Sequence, residues 1–286
     1  MSSRLHIVIR RHFSNYYDYH KSASCYDIEK NKPIEELKVL DAGCGTGNYL
    51  QVLHNCGVRR MYAIELNKSM INECMKKNQS LIESKVLQIT QGNLLSDRLP
   101  FDDEAFDCIM LNQVIHHLET ESSITSGFTN TRKVLQQFYR CLNNDKCSVV
   151  LINFCAIEQV LSGLWFSQFI PQASAQACKR LPKKDYMKKM LEDCKFEDVR
   201  SERICEIHVK EDVYYDLKGI NDFAWRAGHS TFALAPPDEL KHALHTVNAM
   251  IATSPQYVAD FINHHKHIQS EIGSSHTFFG YKLQKN

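Results

Sequence analysis

Little in this chain is present in excess. Thirty-four Lys and Arg stand against 33 Asp and Glu, for a formal net charge of +1, and the lysines are spread out. That balance leaves no broad positive footprint for nucleic acid. No apolar run approaches the length that crosses a bilayer. No Cys-x-x-Cys pair occurs, although there are 11 cysteines, an odd number. They are scattered inside apolar segments, as at Cys108, Cys147, Cys155 and Cys205. This reads as reduced, buried thiols rather than a disulfide frame or a zinc site. Internal repeats and low-complexity segments are also missing, so one domain with elaborations is the expectation for 286 residues. Met1 to Tyr17 has no acidic residue but carries Arg4, Arg10 and Arg11. Mitochondrial transit peptides share that composition; a basic helix covering a site is the plainer account. The expected location is the cytoplasm, with the mitochondrion as the alternative.

What the chain does have is Val39-Leu40-Asp41-Ala42-Gly43-Cys44-Gly45-Thr46-Gly47, with an acidic residue at Glu65. An apolar strand runs into three alternating glycines and then into a helix. Dinucleotide enzymes use Gly-x-Gly-x-x-Gly, with phosphates over the helix start. Here the spacing is shorter and no Lys-Ser pair follows. A tight turn without a phosphate cradle suits a ligand with adenosine and an amino-acid tail, S-adenosylmethionine. Over Leu37 to Phe154 the sequence resembles the class I S-adenosylmethionine-dependent methyltransferases, in particular the small-molecule branch of ubiquinone and menaquinone biosynthesis.

Around this motif, strands are expected at Leu37–Asp41, Arg59–Glu65, Lys85–Thr90, Phe106–Asn112 and Lys146–Phe154, with helices at Tyr49–Cys56, from Asn67 or Ser69 to Asn78, and at Thr131–Leu142. Alternating strands and helices imply an α/β fold, a mostly parallel sheet covered on both faces. The resemblance makes it a Rossmann-like, seven-stranded sheet with an antiparallel edge strand. Ala156–Arg180, broken at Pro171, and Lys184–Cys194 read as helices, and Ser201–Val209 as a strand. The expected organisation is an N-terminal cap over 1–36, a cofactor-binding core over 37–155, and a C-terminal part over 156–286. That last part holds a substrate-lid insertion at 211–262 and the final edge strand at 274–284.

Ligands of such sheets sit beyond the carboxyl ends of the strands. Asp41, Glu65, Asn93 and Asn112 fall at or just past four of those ends. Gly43 and Gly45 would let the backbone approach the cofactor, because any Cβ there would collide, and Gly47 would allow close helix packing. The Glu65 carboxylate would accept both ribose hydroxyls, with Leu66 against the adenine. The resemblance further implies cofactor contacts for Cys44, Leu94, Asn112, Gln113 and Tyr19. It places Asn93 where relatives have an Asp that accepts from the adenine amino group. His116 and His117 would lie near the transferred methyl, as proton acceptors suited to neutral pH.

Two aromatic-rich segments outside the sheet are expected to close over the substrate. One holds Tyr16, Tyr17, Tyr19 and His20. The other holds Trp225, Arg226 and His229, with Arg226 able to clamp an anion. His264-His265-Lys266-His267 is read as a solvated helix face, and no metal is expected. The chain also lacks the Asn/Asp-Pro-Pro-Tyr/Phe motif of many enzymes that methylate bases of nucleic acids. The expected reaction is methyl transfer to a small molecule, with no nucleic-acid partner. A non-catalytic cofactor-binding subunit and a nucleotide oxidoreductase are the rivals.

Overall fold

Apolar runs spaced by helix-length segments commit the chain to a doubly wound sheet. The computed structural model describes residues 32–144, 148–205 and 210–283, with the backbone of 4–7 and 26–29. Its sheet strands are β1 (Lys38–Ala42), β2 (Arg60–Glu65), β3 (Leu87–Gln91), β4 (Cys108–Asn112), β5 (Ser148–Phe154), β6 (Glu197–Ile204) and β7 (Ser275–Lys282). They form a seven-stranded sheet in the order β3-β2-β1-β4-β5-β7-β6. β1 pairs in parallel with both β2 and β4. Strand order therefore reverses beside β1, and a ligand crevice opens beyond its carboxyl end. The short segments 4–7 and 26–29 pair antiparallel; most of the expected cap over 1–36 lies outside the described residues.

Alternation along the strands builds two cores. Leu40, Ile109, Val150 and Ile152 face one side, against Val134, Leu135 and Phe138 of the helix Thr129–Cys141. Val39, Met61, Cys108, Val149 and Leu151 face the other. Helix α1 (Leu50–Asn55) ends before Gly57, whose φ of +106° stops it. Helix α2 (Lys68–Lys77) starts at Asn67, whose side-chain oxygen accepts from Ser69 N and Met70 N. The single turn α3 (Ile115–Leu118) follows β4, and α4 (Thr129–Cys141) covers the first core.

Two expectations at the far edge need correction. The last strand is antiparallel to both neighbours but lies one place in from the edge. Phe278 and Phe279 point to opposite faces and are both buried, a pattern that calls for covered faces on a strand within the sheet. The outermost position belongs to β6, which begins at Glu197 rather than Ser201. Its Arg200, Glu202 and Arg203 are charged, as suits an exposed edge; 206–209 lie outside the described residues.

The insertion is larger than expected. Trp165, Phe166, Tyr214, Trp225, Phe232 and Val247 belong to a third core of their own. It recruits the stretch after β5, where a π-helical turn (Gln159–Gly163), a 3-10 turn (Ser167–Phe169) and helix α5 (Pro171–Lys179) replace one broken helix. The helix bearing the histidine run, Pro255–Ile272, extends the insertion past residue 262. Among the described residues no helix is long and apolar enough to cross a membrane.

Candidate functional site

The glycine turn leaves β1 and doubles back onto β2, with Gly43 N and Cys44 N both donating to Ile64 O. Gly43, Gly45 and Gly47 all have positive φ, the left-handed region that glycine enters without penalty. Their surroundings differ. A Cβ on Gly43 would lie 2.7 Å from Val114 Cγ2, and one on Gly47 would lie 2.4 Å from Cys74 Sγ. For Gly43 the obstacle is thus protein packing rather than ligand, which corrects the expected reason. Gly45 alone of the three faces open space, with Met70 Sδ nearest at 3.9 Å.

That space is a cavity of about 800 Å³ whose walls include Asp41, Gly45, Glu65, Leu66, Leu94 and Asn112. Cys44, Asn93 and Gln113 line it too, and among the described residues no Lys or Arg does. Glu65 does more than face the ligand: Oε2 accepts from Gly45 N at 3.0 Å, and Oε1 from Leu66 N and Asn67 N at 2.9 Å. Its carboxylate ties the glycine turn to the end of β2. Asn93 makes a local bond from its place on the cavity wall. Its Oδ1 accepts from Leu95 N at 2.9 Å, closing an Asx turn. That bond uses one of the two lone pairs of the oxygen expected to face an adenine amino group.

Asp41 is buried at the cavity wall, and its Oδ2 has no hydrogen-bond partner among the described residues. Both side-chain polar atoms of Asn112 are likewise buried and unpartnered. Orphaned polar atoms cost free energy unless a ligand completes them. Burial, and then the Glu65 charge, push the Asp41 carboxyl up to about 7. This donor set fits S-adenosylmethionine: carboxylates and an amide for amino-acid and sugar groups, apolar side chains for a base, and no cation for phosphate.

At the end of β4, Gln113 adopts a φ of +57°, and its Nε2 donates to Asn153 Oδ1 at 2.7 Å. Asn153 donates in turn to Ser275 Oγ and Thr277 Oγ1. This buried network fixes the crevice floor across three strands, and strained backbone of this kind collects at functional sites. Asn153 escaped the sequence reading because its run looks purely apolar. Beyond Gln113, the rings of His116 and His117 lie 3.9 Å apart. His116 Nε2 is 3.2 Å from Ser230 Oγ, which joins α3 to the insertion. Burial lowers both histidines, with help from His117 and Arg180 at His116 and from Arg180 at His117; His116 falls to about 3.

A second cavity, of about 400 Å³, adjoins the first. Met70, Gln113, His117, Ala227 and Gly228 line both. The insertion roofs this junction through Ala227 to Thr231, and His229 sits in the second cavity's wall. Trp225 and Arg226 do not. Trp225 is buried in the third core, its Nε1 donating to Val213 O at 3.1 Å. The Arg226 guanidinium donates to Ile220 O at 2.6 Å and lies over the exposed Phe223 ring. A five-residue helix, Phe223–Ala227, turns both away, so neither lines the site as expected. Tyr16, Tyr17, Tyr19 and His20 lie outside the described residues. In the histidine run, His265 is buried with its Nε2 2.9 Å from Gln168 Nε2, rather than solvated. Among the described residues no three His, Cys, Asp or Glu converge as a metal needs.

The family model for a methyltransferase domain matches residues 40–149. A search of curated proteins finds no match. Among solved structures, a protein described as a methyltransferase from an antibiotic biosynthesis pathway of Anabaena variabilis is similar. It is 19% identical over 88% of this chain and 93% of its own, with a TM-score of 0.66. Phosphoethanolamine N-methyltransferase 2 of Haemonchus contortus, solved with S-adenosyl-L-methionine, is 15% identical over 89% of this chain and 50% of its own, with a TM-score of 0.51. Identities this low speak for the fold. Residues 40–149 thus match a methyltransferase domain, set in a chain whose fold is that of the class I S-adenosylmethionine-dependent methyltransferases.

Proposed function

We propose that this protein transfers the methyl group of S-adenosylmethionine to a small-molecule acceptor held in the second cavity. The observation that carries this reading is the shared wall at Gln113, His117 and Gly228. It lets two ligands meet under one roof. When bound, S-adenosylmethionine supplies an electrophilic methyl group for in-line displacement and leaves as S-adenosylhomocysteine. The chain's own work is to hold, align and desolvate. Asp41 and Asn112 hold the amino-acid end, Glu65 the ribose, and Leu66 and Leu94 flank the adenine. His117 stands at the junction as proton acceptor where the acceptor must lose a proton. His116 is too weak a base, and its bond to Ser230 gives it a fastening role instead. The modest size of the second cavity speaks for a small acceptor. Calorimetry with S-adenosylhomocysteine, followed by a screen of small molecules for S-adenosylhomocysteine release, tests the proposal. Absence of cofactor binding refutes it.

Glu65→Ala removes both a charge-assisted ligand contact and the tie between Gly45 N and the strand end. Cofactor affinity should fall by about 1.5–3 kcal/mol. An affinity equal to wild type would take Glu65 out of the ribose role.

Asp41 makes binding pH-dependent. In the free protein its carboxyl keeps its proton up to about 7, against 3.8 for the ordinary group. Its contribution to folding stability is therefore complete below the unfolded value, and is lost as pH rises through the folded one. A cationic ammonium prefers the ionised carboxylate, so binding expels that proton. Affinity should tighten severalfold between about pH 6 and pH 7.5. Asp41→Asn should bind more weakly and show no such rise. Calorimetry in buffers of different ionisation enthalpy reads the released proton directly, and a flat wild-type profile would contradict the assignment.

A further inference from the structure

The second cavity carries information about the acceptor itself. Among the described residues no Asp, Glu, Lys or Arg lines it. A permanent ammonium or carboxylate bound there would be desolvated without a counter-charge, which costs several kcal/mol or more. What the cavity offers instead is neutral hydrogen bonding beside a flat wall. The His229 ring lies 4.9 Å from the Phe166 ring and 4.4 Å from the Trp225 ring. Its nitrogens have no partner among the described residues, and burial lowers it to about 4, which keeps it neutral. The His117 ring, at the junction with the cofactor cavity, likewise has no hydrogen-bond partner among the described residues. Val160, Leu164 and Leu181 supply an apolar remainder.

One charge acts from outside the lining. Arg180 lies close enough to lower the proton affinity of both His116 and His117. The same positive field opposes an ammonium at the junction.

We propose, building on the methyltransferase reading above, that the acceptor is an uncharged aromatic hydroxyl compound, a phenol. Its ring packs beside Phe166, its far end reaches His229, and its hydroxyl meets His117. The proton step balances simply. The phenol O–H bond breaks, the proton passes to an imidazole nitrogen of His117, and the electron pair stays on the phenolate oxygen, where methylation uses it.

The test uses the full chain saturated with S-adenosylhomocysteine and 4-nitrophenol as probe, because its phenolate absorbs separately from its phenol. Bound probe should show a larger phenolate fraction than free probe at the same pH. Benzoate and phenethylamine should bind at least about tenfold more weakly, for want of a counter-charge. His117→Gln should reduce the bound phenolate fraction severalfold in protein saturated with S-adenosylhomocysteine. With S-adenosylmethionine in its place, the phenol should be recovered as its methyl ether. Failure of 4-nitrophenol to bind, binding with no change in ionisation, or tighter binding of benzoate or phenethylamine overturns the proposal. In each of those cases intact S-adenosylhomocysteine binding leaves the methyltransferase reading standing. Loss of S-adenosylhomocysteine binding in the wild-type protein would instead bring down that reading and the proposal together.

Discussion

Gly45→Val is expected to abolish S-adenosylmethionine binding, with affinity reduced by at least about a hundredfold, while the protein still folds. Two physical effects converge at this position. The backbone has a φ of +54°, which a β-branched residue adopts only at a cost of roughly 1–3 kcal/mol. The new side chain also points into the cavity, because among the described residues, its two chain neighbours aside, only Met70 Sδ lies within 4 Å of its Cβ. Separating the two effects takes a second variant. Asn tolerates the left-handed region, so Gly45→Asn fills the cavity with little backbone strain. Calorimetry should find both variants unable to bind, and thermal unfolding should find only the Val variant clearly destabilised. If Gly45→Asn binds like wild type, the space in front of the turn does not belong to the cofactor. The loop's other end behaves differently: a Cβ at Gly47 would meet Cys74 and Asn78, so substitution there acts on packing against α2.

The parts of this site that were legible in the sequence are those specified by local backbone chemistry. The glycine turn needs its positive φ angles in the chain itself, and Asp41, Glu65 and Asn112 follow from the rule that doubly wound sheets bind ligands at strand ends. Asn67 declared its helix by its cap. Illegible parts depend on what a side chain meets across space. Asn93 has the right address but bends back onto Leu95 N, a competition that composition does not reveal. Trp225 and Arg226 are neighbours of His229 in sequence, yet a single helical turn sends the first into a core and the second toward Ile220. Periodicity over five residues is too short to say which face looks at the cavity. The last strand read as an edge because it ends the chain. Its position is decided by β6, whose charges gave no hydrophobic pattern to follow.

The third core separates the fate of the two cavities, and Trp165→Ala exposes that separation. Trp165 is fully buried, donates from Nε1 to Tyr214 O at 2.8 Å, and lies within ring-contact range of Phe166, Phe169, Trp225 and Phe261. Its truncation leaves a large hole and an unpaired carbonyl, a loss of about 3–5 kcal/mol. Most of that loss falls on the third core, because the sheet cores draw on β1 to β5, β7 and the helices against them, with Leu164 packed against both. The roof from Ala227 to Thr231 hangs on the damaged core, whereas Asp41, Glu65 and Asn112 stand on strand ends. Unfolding followed by tryptophan fluorescence, which here reports only Trp165 and Trp225 and so Trp225 in the variant, should move well below unfolding followed by far-ultraviolet dichroism. S-adenosylhomocysteine affinity should fall by no more than a few fold, since only Ala227 and Gly228 of the roof reach its cavity. Binding of any ligand in the second cavity should be lost. A single transition seen equally by both probes, with cofactor affinity lost in parallel, would mean that roof and sheet fold as one cooperative unit. The acceptor half of the site would then have no stability of its own to lose.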